Sequence, residues 1–164
     1  MDVTFEGNTK TGTDEWLTPP YIIEALGEFD LDPCSPINRP WDTAKKHYNI
    51  EDNGLMQDWG GKNQRVWCNP PYDTKVNGAF LEKCALHGNA MVLIFARTET
   101  GNFFNYIWPH ADAIFFIQGR LSFYKATGEK GGTAGAPSVL IAYGEENVKA
   151  LENTKLKGKF IKLK

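Results

Sequence analysis

No apolar run in the 164 residues approaches 18, so no membrane-spanning helix is expected. The opening stretch, Met1-Asp2-Val3-Thr4-Phe5-Glu6-Gly7, lacks the basic, apolar character of a secretory leader, and a cytoplasmic location is expected. Cysteine is scarce. Cys34, Cys68 and Cys84 form no Cys-x-x-Cys pair and leave an odd count, which suits reduced thiols in a packed interior better than a disulfide frame. Cys84 and His87 share one helical stretch at ligand spacing, but no second pair of ligands accompanies them, so no metal is expected. His47, His87 and His110 stand in no catalytic pattern. Internal repeats, low-complexity tracts and composition shifts are also missing, and the length fits one domain with a substantial core.

Charge is present in both signs but unevenly placed. The net charge is −2, yet residues 149–164 carry six lysines and one glutamate, leaving twelve basic and nineteen acidic groups in the rest, a balance of −7. A lysine-rich segment on an acidic body suits contact with phosphates. The same lysines also suit a solvated tail that aids solubility.

Strands and helices alternate along the chain. Thr18-Pro19-Pro20 launches a helix, because proline suits a first helical turn, and Gly27 ends it. Phe29-Asp30-Leu31-Asp32 reads as a short strand stopped by Pro33-Cys34-Ser35-Pro36. A strand near Lys46 to Asn49 follows, then Val66-Trp67-Cys68, a helix over Gly78 to His87, and a fully apolar strand over Ala90 to Ala96. Helical spacing returns from Asn102 to Trp108, and further strands are predicted at Ala113 to Ile117, Leu121 to Tyr124 and Ser138 to Tyr143. Thr127 to Ala136 holds four glycines and reads as a mobile loop. The pattern predicts an α/β fold with a mostly parallel sheet, helices on both faces, and an antiparallel pair at one edge built from the last two strands.

Asn69-Pro70-Pro71-Tyr72, at the end of the Val66 strand, is where such a sheet places its chemistry. Two prolines supply no N–H and hold the backbone rigid, so carbonyls stand beside an amide and an aromatic ring. A flat amine fits between those acceptors. Adenine has such an amino group, with faces that stack on tyrosine. Asp32, at the end of another strand, offers a carboxylate to a ligand's ammonium or hydroxyl groups. Arg97, Thr98 and Thr100 follow the Ala90 strand and are expected at the same sheet edge, while Arg120, Lys125 and Lys130 flank the glycine-rich loop.

Three features occur in one order: Asp14-Glu15-Trp16-Leu17-Thr18-Pro19-Pro20, Phe29-Asp30-Leu31-Asp32-Pro33-Cys34, and Trp67-Cys68-Asn69-Pro70-Pro71-Tyr72. The chain in this respect resembles the small phage-encoded DNA N6-adenine methyltransferases of the Dam type. Weaker echoes are Asp52-Asn53-Gly54-Leu55 with Asp58-Trp59, Ala96-Arg97-Thr98-Glu99-Thr100, Gly119-Arg120-Leu121-Ser122-Phe123 and Ala136-Pro137-Ser138-Val139. The resemblance implies a Rossmann-like domain over residues 14–148, between an irregular arm at 1–13 and the lysine-rich segment at 149–164. It implies S-adenosylmethionine as cofactor, DNA adenine as acceptor, and a bacterial host cell as the place of action. Asn69, Pro70, Pro71 and Tyr72 would then be catalytic. Trp16, Thr18, Asp32, Pro33, Cys34, Ser35, Asp52 and Asp58 would enclose the cofactor, with Glu51 an alternative to Asp52. Arg97, Thr98, Arg120, Lys125 and Lys130 would contact nucleic acid. The turn after Asp32 departs from the commoner methyltransferase pattern in having no glycine. The same acceptors would serve an RNA adenine or a protein glutamine, and an inactive binding module would keep the same fold.

Overall fold

The computed structural model describes residues 16–164, so the arm and the Asp14-Glu15 start of the first motif lie outside the described residues. In chain order the strands are β1 (Trp16–Leu17), β2 (Leu31–Asp32), β3 (Lys46–His47), β4 (Val66–Cys68), β5 (Ala90–Phe95), β6 (Ala113–Ile117), β7 (Ser122–Lys125), β8 (Lys130–Thr133), β9 (Ser138–Tyr143) and β10 (Gly158–Lys162). The α-helices are α1 (Pro20–Leu26), α2 (Thr74–His87) and α3 (Glu145–Glu152), and a π-helical turn spans Phe103–Ile107. Seven strands form the main sheet in the order β10-β6-β9-β5-β4-β2-β3, and β1, β7 and β8 form a separate small sheet.

Period-two alternation sorts the side chains between two cores. Val66, Cys68, Val92 and Ile94 face α2 and the π-helical turn, packing on Phe80, Leu81, Cys84, Phe103 and Ile107. Trp67, Met91 and Leu93 face the other way, onto Ile22 and Leu26 of α1 and Val148 and Leu151 of α3. Strands covered on both faces must be apolar throughout, which is why β4, β5 and β9 show no polar alternation. Local chemistry sets the helix ends: the Asp73 carboxylate caps α2 by accepting from the backbone N–H groups of Lys75 (3.1 Å) and Val76 (3.2 Å), and Gly88 closes it at φ 77°.

The edge pair expected from the sequence is not there. β9 lies inside the main sheet, antiparallel to both β5 and β6, and β7 pairs with β8 and β1 in the small sheet. The reason lies in burial: all six residues of β9 are buried, as only an interior strand allows, whereas Ser122–Lys125 is half-polar and suits a peripheral ladder. The glycine-rich stretch contributes strand β8 rather than remaining a loop. Nor is the lysine-rich end a tail. It supplies the last turn of α3 and then β10, which pairs antiparallel with β6 from Gly158 opposite Ile117 to Lys162 opposite Ala113.

Candidate active site

β3, β2, β4 and β5 run parallel, so their carboxyl ends share one edge of the sheet. The chain leaves β2 toward β3 on one side and then returns to β4 on the other. This reversal opens a crevice between the ends of β2 and β4, the position where open α/β sheets bind ligands. Asp32 stands on one side of the crevice and Asn69 on the other.

The turn after β4 has its polar atoms distributed unequally. The Asn69 backbone carbonyl accepts from the Cys34 thiol at 3.4 Å, and the Pro71 carbonyl accepts from Asn77 Nδ2 at 3.0 Å. Burial pushes the Cys34 thiol up, which keeps it a proton donor. Asn69 Nδ2 donates to Thr18 Oγ1 at 3.4 Å, and Thr18 is itself buried. Two acceptors, Asn69 Oδ1 and the Pro70 carbonyl, have no donor among the described residues. Asn77 is held in turn by Asn102, whose Nδ2 reaches Asn77 Oδ1 (3.4 Å) and the Thr74 carbonyl (3.0 Å). Gly78 permits this approach, since a Cβ there would stand 2.7 Å from Asn102 Oδ1.

Tyr72 stacks on Phe95, with ring centroids 4.5 Å apart and planes 16° from parallel. The Arg97 guanidinium lies 5.6 Å from the Phe95 ring. Beside this pair a cleft of about 420 Å³ opens between α2, the end of β5 and the π-helical turn, lined by Tyr72, Asp73, Asn77, Phe95, Arg97 and Asn102 among others. Thr98 sits next to it with its carbonyl bound to Trp108 Nε1 at 3.0 Å, and Thr100 Oγ1 donates to the Arg97 carbonyl at 2.8 Å.

On the other side of the crevice, Asp32 is buried and its pKa is pushed up to about 6 by burial, against the opposing pull of hydrogen bonds from the Thr43 hydroxyl and the Cys34 N–H. Thr43 Oγ1 donates to Oδ2 at 2.5 Å and the Cys34 N–H to Oδ1 at 3.1 Å. Each oxygen keeps a second lone pair. Pro33 and Ser35 are buried beside it, and the Ser35 N–H donates to the Tyr48 carbonyl at 2.9 Å. Gly54 packs directly on the turn after Asp32: a Cβ there would fall 1.9 Å from the Pro33 carbonyl oxygen. Asp52 and Asp58 are exposed acids on the same segment. Asp52 accepts from the Asn49 N–H (2.9 Å), Asp58 from the Gly60 N–H (2.8 Å), and Glu51 is exposed next to them.

The remaining expected residues lie farther out. Trp16 pairs with Lys125 across β1 and β7, and its ring covers Gly131, where a Cβ would meet it at 2.5 Å. Lys130 opposes Tyr124, and Arg120 Nη1 donates to the Gly135 carbonyl at 2.8 Å, both in or beside the small sheet. The structure therefore brings together Thr18, Asp32, Cys34 and Asn69, and separately Tyr72 with Arg97. It adds Thr43, Asn77, Phe95 and Asn102, which sequence reasoning missed, and gives Gly54, read only as part of a turn and a weak motif, a packing role. Of the missed residues, Phe95 carried a signal, as an aromatic ring at the end of the most apolar strand.

Fold and site define an α/β protein with a polar crevice at the switch point of its sheet and an aromatic cleft beside it. The chain belongs to the DNA N-6-adenine-methyltransferase (Dam) family, whose profile matches residues 7–156. A protein of Escherichia phage T1 named DNA N-6-adenine-methyltransferase is similar, 29% identical over 116 residues that cover 66% of this chain and 47% of that protein. The chain thus spans about half the length of the curated relative it matches. No solved structure matches it. Membership of this family implies a methyl donor.

Proposed function

We propose that the protein transfers a methyl group from S-adenosylmethionine to the N6 amino group of adenine in DNA, using a Rossmann-like arrangement of its parallel strands, and that it acts in the cytoplasm of a bacterial host. The observation that carries this reading is the pair of acceptors, Asn69 Oδ1 and the Pro70 carbonyl, left without donors among the described residues while their neighbours in the same turn are bound.

The adenine amino nitrogen is a poor nucleophile because its lone pair is delocalised into the ring. Acceptors on both N–H groups favour a pyramidal nitrogen and turn the lone pair outward. Thr18 supports this by taking the Asn69 NH₂ group, which leaves Oδ1 as the free end of the amide. Asn77 supports it by binding the Pro71 carbonyl, which fixes the turn from the other end. Asparagine is neutral, so the turn activates the amine by polarisation and alignment, and the proton leaves only after methyl transfer. Tyr72 would stack on an adenine drawn out of its duplex, in the cleft it shares with Phe95 and Arg97.

The donor set fits a cationic cofactor. Asp32 is a buried carboxylate, and Glu51, Asp52 and Asp58 lie along the same side, so a ligand bearing ammonium and sulfonium charges meets acids there. Asp32, with the backbone of Pro33, Cys34 and Ser35, would hold the methionine half, and Thr18 would enclose it, with Trp16 two residues before it in the small sheet. One of Glu51, Asp52 and Asp58 would hold the nucleoside half. When bound, the sulfonium supplies an activated methyl carbon. Arg97, Thr98, Arg120, Lys125 and Lys130 would contact the DNA. The methyltransferase domain would run over 14–148, with the later strand β10 completing its sheet.

The test is incubation with methyl-labelled S-adenosylmethionine and DNA, followed by nucleoside analysis. Label in N6-methyldeoxyadenosine is expected. Label appearing only in RNA or protein would move the acceptor, and the lack of any transfer despite cofactor binding would make the protein an inactive module.

A further inference from the structure

Charge is unevenly placed along the carboxyl edge that bears the crevice. Toward its β2 and β3 end Glu51, Asp52 and Asp58 stand with Lys46, whose ammonium lies 4.8 Å from the Tyr48 ring. Toward the other end, past β5, stand Arg97, Arg120 and the start of β10. β10 runs antiparallel to β6, so its first residues lie at the carboxyl edge, where the Gln118 N–H donates to the Lys157 carbonyl at 2.9 Å, two residues from Arg120.

Alternation then sorts the segment. Leu156 and Phe160 pack against the α1 and α3 core, while Lys155, Lys157 and Lys159 stand exposed between and beside them. Lys159 opposes Phe116, whose side chain belongs to the same face as the aromatic cleft. From residue 153 to the end the sequence has no acid. Among the described residues none of these three lysines has a carboxylate or a carbonyl on its ammonium group, whereas Lys164, at the far end of the strand, is tied to Asp112 (3.8 Å) and to the His110 carbonyl (3.0 Å).

We propose that Lys155, Lys157 and Lys159 form a phosphate track for the DNA duplex at a fixed distance from the target adenine. This rests on the DNA reading above and deepens it. From β4, which carries Asn69, to β10 there are four strand spacings. At about 4.8 Å per strand that is roughly 19 Å. A duplex laid along the carboxyl edge would cover it in about five to six base-pair steps of ~3.4 Å. The track therefore grips phosphates on one side of the adenine.

The experiment measures equilibrium binding of the full chain across a salt series, on duplexes whose single adenine faces an abasic site to fix the register. Each duplex has flanks of either ten or three base pairs. Three lost phosphate contacts should flatten the slope of log K against log salt by up to about 2.7 for the Lys155→Gln, Lys157→Gln, Lys159→Gln triple variant on the long duplex. The difference should persist when one particular flank is trimmed and vanish when the other is. Arginine at the same three positions should restore the wild-type slope. An unchanged slope on the long duplex would overturn the track, and an equal change on duplexes trimmed on both sides would overturn its distance from the adenine. Methyl transfer by the wild type is scored separately. A failed track leaves that transfer intact, while failure of the DNA reading abolishes it in every variant.

Discussion

The two ends of the main sheet treat polar groups in opposite ways. At the amino end, Arg65 is buried and donates from Nε to Asn147 Oδ1 (2.7 Å) and from Nη1 to the Glu28 carbonyl (3.1 Å), with its guanidinium 4.1 Å from the Phe29 ring. Asn147 passes the network on to Asn89 Oδ1 (2.8 Å) and the Tyr143 carbonyl (2.9 Å), and Asn89 Nδ2 reaches the Lys62 carbonyl (2.7 Å). These groups bind one another away from the cleft, although Arg65 Nη2 is buried there with no hydrogen-bond partner among the described residues. At the carboxyl end, Asn69, Asp32 and the Pro70 carbonyl keep acceptor capacity unused among the described residues, beside a crevice and a cleft. One end holds strands together; the other leaves acceptors facing a partner. The lesson is that position separates the two ends: polar groups buried in a network between elements mark structure, and acceptors left open beside a cleft at a strand's carboxyl end mark chemistry.

The largest effect expected from this contrast is at the amino end. Arg65→Ala would leave Asn147 Oδ1 and the Glu28 carbonyl without their donor and would destabilise the fold by about 3 kcal/mol. Denaturant titration should show that loss, with methyl transfer per folded molecule near wild type. A stable Arg65→Ala protein with weak activity would erase the distinction between the two ends.

Asp32 sharpens it next. Asp32→Asn should weaken S-adenosylmethionine binding by about 1.5 to 3 kcal/mol, through loss of a charge-assisted bond, as read by calorimetry. Stability should move the other way. The folded pKa, about 6, lies above the ordinary 3.8, so the folded state holds the Asp32 proton more tightly than the unfolded chain. The contribution of Asp32 to stability is therefore greatest below about pH 4, falls as pH rises to about 6, and is flat above that. Asp32→Asn should remove that slope and stabilise the protein at pH 7. Cofactor affinity in the wild type should rise with pH through about 6, as the carboxylate ionises. A pH-independent affinity between 5 and 7 would take Asp32 out of the cofactor site.

The legible part of the molecule was local. Asn69 to Tyr72 and Asp32 could be read because a proline pair after an apolar run and a carboxylate before a proline announce strand ends within a few residues. Gly54, Thr43 and Asn77 could not, because each acts on a segment distant in sequence: Gly54 against Pro33, Thr43 on Asp32, Asn77 on Pro71. Gly54 stands 22 positions beyond Asp32, and Asn53-Gly54 marks a turn without marking that it packs on Pro33. The sheet was misread at β9 for a related reason. A hairpin through the glycine-rich stretch was the nearest pairing in sequence, but β8 completed that hairpin and left β9 to enter between β5 and β6.

A smaller effect is expected at Asn77. Asn77→Asp keeps the shape and removes the donor to the Pro71 carbonyl, so the turn loses its clamp while α2 remains capped by Asp73. Turnover should fall roughly tenfold with cofactor affinity and melting temperature nearly unchanged. Asn77→Gln, which keeps the amide donor, should recover part of that loss. Equal falls in melting temperature and turnover would make Asn77 a packing residue.

The most direct test of the central claim is single-turnover methyl transfer by Asn69→Ala with cofactor and DNA saturating. Loss of one acceptor that acts in the transition state should slow the chemical step by about 10²-fold or more, with binding of cofactor and DNA close to wild type. A wild-type rate in that variant would contradict the assignment of the unsatisfied acceptors to catalysis.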